Sequence, residues 1–495
     1  MKFESVIKNI KVSNIHGSTN WDISDIFYNS KDVVASSCFV AIKGVSVDGH
    51  DFIDDAIAHG AMVIVSEKPL NVEATVVVVD DTKRVMAEMS ANFFGHPSKK
   101  IHTIGVTGTN GKTTITYLLE SIINENGGNV GVVGTVNRRY SDKELPAPHT
   151  TPMSYDLQKL MNEMAKDKVT DAVIEVSSHS LDQKRVYSTN FDTAIFTNLT
   201  HDHLDYHHGT EKYFEAKKKL FEEYLCASSK TEKYAIINID DEFGRRIISE
   251  CGGFKFVTYG FNKEADVHPA SFNSSVTGND INIKTPWGEF ECASKLRGEF
   301  NILNVLAAVA ATGIRNYPLN IIKTGIEKLT NVPGRLESVK NDRGISIFVD
   351  YAHTPDALRN SASSISKIKK GRLITVFGCG GDRDREKRPL MGREASLFSD
   401  VIIITSDNPR TEDPKKIINE IASPLIKEGM PLFNGGGRGY LLEEDRRKAI
   451  KKAISVAKEG DSILIAGKGH EDYQIVGKEK RHFDDVEVVQ ECLSV

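Results

Sequence analysis

Short apolar runs rich in β-branched residues alternate along the middle of the chain with longer amphipathic stretches. The first run, at residues 101–106, is followed by a glycine-containing loop and by an amphipathic stretch that opens at Lys112. Comparable runs recur at residues 171–176, 192–197 and 234–239. A strand followed by a helix, repeated several times, is typical of a parallel sheet covered by helices. We therefore predict an α/β domain with a central parallel sheet.

The same alternation continues on both sides of this region. Before it, the pattern predicts a helix at 51–61 and strands at 38–44, 62–66 and 74–80. After it, apolar runs lead into polar or glycine-rich loops at 346–353, 373–381, 401–408 and 462–470. Gly, Pro and Ser at 94–100 and the pair Pro333-Gly334 indicate the boundaries. The predicted fold is α/β in three domains: a small N-terminal α/β domain at 1–98, a central phosphate-loop ATPase domain at 99–333 and a Rossmann-like domain at 334–495.

Composition limits the classes of function. The chain has 495 residues, a net charge of −5 and no run of about 18 apolar residues, the length that a membrane-spanning helix needs. Its six cysteines include no C-x-x-C pair, which argues against a zinc site and against a disulfide framework. We expect a cytoplasmic monomer that neither binds nucleic acid nor enters a membrane.

The loop after the first strand carries the strongest chemical signal. It reads G-T-N-G-K-T-T and comprises Gly108, Thr109, Asn110, Gly111, Lys112, Thr113 and Thr114. Glycines let backbone N–H groups face a phosphate, the helix N-terminus points at the same place, and Lys112 adds a full charge. Thr113 can place its hydroxyl on Mg²⁺. The loop does not match the common motif G-x-x-x-x-G-K-[ST], because Val106 stands at the position of the motif's first glycine.

Two polar residues end neighbouring strands of the predicted sheet. Glu175 follows one apolar run and His203 lies just beyond the next. A carboxylate, an imidazole and phosphate oxygens would together suit Mg²⁺ or Mn²⁺. The alternative is a capped strand end beside a hydrogen-bonded histidine.

Two further segments are ambiguous from the residues alone. The stretch Y-F-E-A-K-K-K-L-F at 213–221 predicts an amphipathic helix with its lysines in solvent. Arginines crowd the segment at 378–390, and Arg410 lies in D-N-P-R. Arginine forks suit a substrate with several carboxylates or a nucleotide phosphate, although a charged helix start would look the same.

Taken together, the motifs resemble those of the Mur ligase family, ATP-dependent amide-bond-forming enzymes of peptidoglycan synthesis. They are T-G-T-N-G-K-T-T, E-V-S-S-H, T-N-L-T-H-D-H-L-D-Y-H, Y-F-E-A-K, G-E-F-N-I-L-N, P-G-R-L-E, V-D-Y-A-H-T-P-D, D-N-P-R and G-K-G-H-E. The resemblance implies ATP and Mg²⁺ as cofactors, with Lys112, Lys217 and His203 as catalytic residues. It also implies metal binding by Thr113, Glu175, His203 and a carbamylated Lys217.

The resemblance implies three further groups of residues. Nucleotide contacts would come from Asn301, Asn304, Arg335, Asp350, Tyr351 and His353. A UDP-muramoyl dipeptide would be held by Ser30, Thr150, Thr151, Ser177, Gln183 and Arg185. The D-N-P-R motif implies meso-diaminopimelate as the incoming amino acid, bound by Arg383, Asp407, Asn408, Arg410, Gly467 and Glu471.

The implied reaction is phosphorylation of the D-glutamyl γ-carboxylate by ATP, followed by attack of the amine on the acyl phosphate. Other ligases of this kind, which add L-lysine or D-alanyl-D-alanine or elongate folylpolyglutamate, are the nearest alternatives. A nucleotide switch that uses ATP only for conformational change is the alternative from another class.

Overall fold

The computed structural model describes residues 1–44 and 47–494, without the side chains of residues 204 and 205. Its larger sheets have five, eight and six strands, one for each predicted region. Separate clusters of buried side chains pack against these sheets. Within the described ranges, no helix combines the length and the apolar character needed to cross a membrane.

The first region forms a five-stranded sheet in the order β1-β5-β4-β3-β2, parallel except for β1. Its elements are α1 Phe3–Val6, β1 Asn14–His16, β2 Ile26–Phe27, β3 Ser37–Val40, α2 Ile53–Ala58, β4 Ala61–Ser66, β5 Thr75–Val78 and α3 Thr82–Phe93. The helix predicted at 51–61 is shorter than expected. It begins as a 3₁₀ turn, Gly49–Phe52, because Asp48 caps that turn, and β4 already starts at Ala61.

The central region contains an eight-stranded sheet in the order β13-β12-β11-β6-β10-β7-β8-β9, parallel except for β8 and β9. Its elements up to β13 are β6 His102–Thr107, α4 Lys112–Glu125, β7 Val130–Val133, β8 Asn137–Tyr140, β9 Lys143–Pro146, α5 Ser154–Lys166, β10 Asp171–Glu175, α6 Ser178–Asp182, β11 Thr193–Phe196, α7 Leu204–His207, α8 Thr210–Lys219, β12 Tyr234–Asn238, α9 Glu242–Glu250 and β13 Lys255–Tyr259. A π-helical turn, Leu220–Leu225, continues α8.

A three-stranded antiparallel sheet follows. It consists of β14 His268–Ser275, β15 Gly278–Thr285 and β16 Gly288–Ser294, and it leads to α10 Phe300–Gly313 and α11 Leu319–Lys328. Helix α10 is buried along most of its length against α4 and the large sheet. This packing brings the start of α10 to the phosphate loop, which opens α4.

The last region has a six-stranded sheet in the order β17-β18-β22-β19-β20-β21, parallel except for β17. Its elements are β17 Glu337–Val339, β18 Ser346–Asp350, α12 Pro355–Ile368, β19 Leu373–Phe377, α13 Lys387–Phe398, β20 Val401–Ile404, α14 Pro414–Lys427, β21 Gly439–Leu442, α15 Arg446–Val456, β22 Ser462–Ala466, β23 Tyr473–Val476, β24 Glu479–His482 and α16 Asp485–Leu493. All four predicted strands are confirmed. The edge strands β17 and β21 and the hairpin β23-β24 lack a strong apolar run, so the pattern did not predict them.

A fully buried ion pair holds α15 to α16 beneath this sheet. The guanidinium of Arg446 donates to both carboxylate oxygens of Asp485 at 2.7 Å, and both side chains are 0% exposed. A bidentate pair without water is costly to break, because the remaining charge stays buried.

We expect Arg446→Met to lower the free energy of unfolding of this region by about 3 to 5 kcal/mol, since it leaves Asp485 buried without its partner. The neighbouring Arg447→Met is the control, because Arg447 and Glu491 form an exposed pair worth less than about 1 kcal/mol. Differential scanning calorimetry of both variants measures the two effects. Equal small losses would contradict the expectation.

Candidate nucleotide and substrate site

Two glycines give the phosphate loop its shape. Gly108 and Gly111 have φ angles of 143° and 90°, which side-chain-bearing residues rarely adopt. A Cβ on Gly108 would lie 1.8 Å from Oγ1 of Thr197, and one on Gly111 would lie 2.4 Å from Oδ1 of Asn304. The loop is therefore pressed between the end of β11 and the start of α10, and α4 begins directly after it at Lys112.

Two lysines converge on one carbonyl of this loop. The Nζ atoms of Lys112 and Lys217 donate to the oxygen of Gly108 at 2.9 and 2.8 Å, and Lys112 also donates to Thr109. Burial lowers the pKa of both amines, and the charge of Lys112 lowers the pKa of Lys217 further, well below its ordinary value. All of these hydrogen bonds end on backbone oxygens, and neither amine forms an ion pair with a carboxylate among the described residues.

Lys217 does not face solvent, and the expectation from the amphipathic pattern was wrong at this position. Its side chain is 1% exposed, and its Nζ lies 4.4 Å from the centroid of the Tyr213 ring. Neighbouring Lys218 does reach the helix surface, where it pairs with Glu215 and Glu250. The resemblance had singled out Lys217, whereas periodicity could not distinguish it from the lysines beside it.

Glu175 lies at the end of β10 with 1% of its surface exposed. Its Oε2 accepts hydrogen bonds from the hydroxyls of Thr113 at 3.2 Å and Thr135 at 2.8 Å, and its Oε1 accepts the backbone N–H of Thr135 at 3.0 Å. Carboxylate and hydroxyl oxygens are ligands that Mg²⁺ prefers, so these residues fit that ion. Across the described residues, no group of three His, Cys, Asp or Glu side chains forms a metal cluster.

His203 is less enclosed than Glu175. Its side chain is 45% exposed, its φ is 53°, and its Nε2 lies 3.3 Å from Oδ2 of Asp202. The ring also packs edge-on against His179 at 4.8 Å between centroids. His203 therefore stands at the mouth of the site with a carboxylate partner that the sequence analysis did not identify.

Residues of the last region close over the loop. Nη2 of Arg335 donates to Oγ1 of Thr113 at 3.0 Å, and the amide of Asn110 donates to Oδ2 of Asp356 at 3.1 Å. His470 contacts the backbone of Thr135, and burial together with the charge of Arg335 lowers its pKa to about 3. Asp356 ends the motif V-D-Y-A-H-T-P-D, so its position in that motif could have identified it.

The predicted nucleotide-binding residues divide into two groups. Asn304 lies against Gly111, and its amide donates to Oδ1 of Asn301 at 2.8 Å, so both lie beside the loop. Asp350 is buried among backbone donors, and burial raises its pKa despite nearby Arg335. The rings of Tyr351 and His353 pack with their centroids 4.5 Å apart and their planes tilted by 59°, and Nδ1 of His353 bonds to the carbonyl of Tyr351 at 2.8 Å.

Most of the residues predicted for the muramoyl dipeptide lie together near Glu175, at the end of β10. Thr151 donates to the carbonyl of Glu175 at 2.7 Å, and Thr150 lies 3.1 Å from the hydroxyl of Thr135. Arg185 donates to the carbonyl of Thr151 at 2.8 Å and to Oε1 of Gln183. Ser177 caps α6 from the same edge. Ser30 lies apart from this group: it is buried at the start of a 3₁₀ turn, Ser30–Asp32, of the first region.

Three of the residues predicted for the incoming amino acid, Arg383, Asn408 and Arg410, lie beside Gly380. A Cβ on that glycine would lie 2.9 Å from Nη1 of Arg410 and 3.7 Å from Cγ of Arg383. Asn408 donates to Glu471 at 3.0 Å, while Gly467, with φ of 113°, leaves room for the Asp407 carboxylate.

The arginine cluster is smaller than its sequence suggests. Arg388 is 0% exposed and pairs with Glu412 and Glu420, and Arg385 also bonds to Glu420. These two are neutralised within the protein. Arg383 and Arg410 form no ion pair with a carboxylate in the described parts of the chain, because the loop carbonyl of Gly381 accepts from Arg410 at 2.8 Å instead.

The fold and site define a class: an α/β protein whose phosphate loop is closed by a second sheet domain carrying arginines. Models of three families match the chain: "Mur ligase family, catalytic domain" at residues 22–94, "Mur ligase middle domain" at 106–312 and "Mur ligase, glutamate ligase domain" at 334–469.

Relatives match along the whole chain. The UDP-N-acetylmuramoyl-L-alanyl-D-glutamate--2,6-diaminopimelate ligase of Geobacter metallireducens is 45% identical and covers 99% of this chain and 98% of its own length. The protein of that name from Clostridioides difficile is 44% identical, with complete coverage of both chains. The chain belongs to the Mur ligase family, and it is an ATP-dependent ligase.

Solved structures share the architecture. One diaminopimelate ligase structure is 32% identical, with a TM-score of 0.71 and coverage of 100% and 99%. The MurF ligase from Thermotoga maritima in complex with ADP is 20% identical, with a TM-score of 0.64 and coverage of 95% and 96%. At that identity the second likeness concerns the fold alone.

We expect Gly111→Ala to weaken ATP binding by about 10- to 100-fold, since its Cβ would overlap Asn304, which Asn301 holds in place. Gly127→Ala is the matched control: Gly127 also has a positive φ, 82°, but meets nothing within 4 Å. Titration calorimetry with a non-hydrolysable ATP analogue measures both. A comparable loss in the two variants would mean that backbone strain, not the overlap, is responsible.

Proposed function

We propose that the protein joins meso-diaminopimelate to UDP-N-acetylmuramoyl-L-alanyl-D-glutamate, using ATP to activate the D-glutamyl γ-carboxylate. The observation that carries the proposal is the pair of guanidinium groups, Arg383 and Arg410, which lie beside Gly380 and form no ion pair with a carboxylate among the described residues. Relatives with this activity in their names, 45% and 44% identical over nearly the whole chain, support it.

Activation of the carboxylate follows from the geometry at the loop. Lys112 and the backbone N–H groups of the loop bind and orient the ATP phosphates, and the Lys217 side chain lies beside them, where its Nζ donates to the carbonyl oxygen of Gly108. Thr113 and Glu175 would hold Mg²⁺, which supplies charge neutralisation for phosphoryl transfer. Thr151 and Arg185 lie at the edge where the γ-carboxylate would enter. Transfer of the terminal phosphoryl group then gives an acyl phosphate and ADP.

The amine then attacks the acyl carbon, and phosphate leaves from the tetrahedral intermediate. Arg383 and Arg410 would bind the distal carboxylate of diaminopimelate, and Glu471 its distal ammonium. This grip orients the reacting amine without a covalent bond to the enzyme. Closure by Arg335 and Asp356 excludes water from the acyl phosphate.

The test measures ADP release and amide formation together, with meso-diaminopimelate and L-lysine as acceptors. We expect diaminopimelate to be the better acceptor. We also expect Arg410→Met to lower kcat/KM for diaminopimelate by about 30-fold or more, because the distal carboxylate of diaminopimelate loses a charged partner. Arg385→Met is the control, since Arg385 is already paired with Glu420.

A preference for lysine would refute the assignment of the amino acid. ADP release without any new amide bond would favour a nucleotide switch.

We also propose that the Lys217 amine adds CO₂ and becomes a carbamate. Its nitrogen forms a bond to the carbon of CO₂ and releases one proton, and the lowered pKa provides the neutral amine that this step requires. We expect the intact protein to carry the mass of one CO₂ in bicarbonate buffer and to lose it on acidification, because protonation of the carbamate breaks its N–C bond and releases CO₂.

Native mass spectrometry measures the addition, with Lys217→Met and Lys218→Met as the pair of variants. Burial lowers the pKa of Lys218, but hydrogen bonds to Glu250 and Glu215 keep that pKa above its ordinary value. We therefore do not expect Lys218 to add CO₂, and Lys218→Met should retain the extra mass. If Lys217→Met retains it as well, another residue carries the modification.

A further inference from the structure

Lys468 is a fully buried lysine with no role in the function proposed so far. It follows β22, its side chain is 0% exposed, and its Nζ donates to Oε2 of Glu471 at 3.1 Å and to Oδ1 of Asn408 at 3.4 Å. The Nζ also lies 5.3 Å from the centroid of the Tyr473 ring. Lysine is seldom buried completely, and removing its ammonium from water is costly unless partners compensate.

The first consequence concerns the Asn408 side chain. Its Oδ1 accepts from Lys468 and from the backbone N–H of Ile475 at 2.9 Å, and its Nδ2 donates to Glu471 at 3.0 Å. Because a lysine ammonium only donates hydrogen bonds, turning the amide round would place its NH₂ group against two donors. Lys468 thus sets the direction in which Asn408 presents its amide.

The second consequence concerns charge. Asn408 and Lys468 both bond to the same oxygen of Glu471, Oε2. The carboxylate is therefore held in one position, and its charge is already offset by an ammonium that is enclosed by protein. A substrate ammonium that approaches Glu471 also approaches Lys468, which repels it, and a buried lysine has little freedom to withdraw.

The third consequence depends on the arginines. Arg410 and Arg383 lie beside Gly380, and Nη1 of Arg410 is 3.5 Å from the carbonyl oxygen of Asn408. No carboxylate forms an ion pair with either arginine in the described residues. If a head group has both an ammonium and a carboxylate, its ammonium contacts Glu471 and its carboxylate contacts the arginines. A head group with only an ammonium meets the repulsion of Lys468 without the compensating attraction of the arginines.

We propose that Lys468 is a positioning and specificity residue, which offsets Glu471 so that a distal ammonium binds productively only when a carboxylate accompanies it. This inference rests on the function proposed above and deepens it. Arg410 would favour substrates that have a distal carboxylate, because it attracts that group. Lys468 would disfavour substrates that lack one, because it repels their ammonium. Specificity commonly combines two such elements.

Lys468→Met tests the proposal because methionine has a similar length and lacks the charge. The measurement is kcat and KM for meso-diaminopimelate and for L-lysine, with the KM for ATP as an internal reference. We expect the kcat/KM ratio of diaminopimelate to lysine to fall about tenfold or more. The change should arise from the amino-acid KM, with the KM for ATP within about twofold of wild type.

Lys480→Met is the matched control. Lys480 is exposed on β24, and its Nζ lies 3.8 Å from the centroid of the same Tyr473 ring, but it has no contact with Glu471 or Asn408 among the described residues. The ratio of kcat/KM for diaminopimelate to kcat/KM for lysine should be the same in Lys480→Met as in the wild type. A calorimetric scan of each variant checks that the fold is intact.

Equal losses for both amino acids in Lys468→Met, or an unchanged ratio, would overturn the proposal. If this variant does not fold, Lys468→Arg decides, because it keeps the cation: it should preserve the preference for diaminopimelate, and a loss of that preference would overturn the proposal. A wild-type enzyme that uses lysine as well as diaminopimelate would instead refute the proposed function.

Discussion

The carbonyl oxygen of Gly108 accepts hydrogen bonds from two lysines, and the site depends on this concentration of positive charge. Lys112 comes from the helix that follows the loop, whereas Lys217 comes from a helix more than a hundred residues further along the chain. Burial lowers the pKa of both, which means that holding two ammonium groups here is unfavourable without an anion. ATP phosphate and a carbamate on Lys217 would each relieve that cost.

The last region packs over the same loop. Arg335 and Asp356 contact Thr113 and Asn110, so the nucleotide site is completed by residues more than two hundred positions away. An acyl phosphate is readily hydrolysed, and an enzyme that forms one must exclude water before it forms. Under the proposed function, these contacts would shield the acyl phosphate from water until the amine arrives.

Charge is distributed differently in the pocket for the amino acid. There, Arg388 and Lys468 are buried cations with carboxylate partners inside the protein, and Arg383 and Arg410 are the cations left for a ligand. Pairing inside the protein fixes Arg388 and Lys468 in place, and under the proposed function the remaining guanidinium groups would provide selectivity for the amino acid. The distinction between the two kinds of arginine lies in their tertiary neighbours.

The sequence by itself determined the α/β class, the main strands of the three larger sheets, the phosphate loop and the membership in a ligase family, because these follow from local periodicity and from short motifs. It did not determine which members of a charged run are buried: Lys217 and Lys218 are adjacent, as are Arg446 and Arg447, yet one of each pair is enclosed and the other is not. Nor did it identify Asp356, Thr135 or Lys468 as parts of the site. Those assignments require knowing which side chains meet across sheets and domains, and only the tertiary structure decides that, because burial and pairing depend on distant segments packing together.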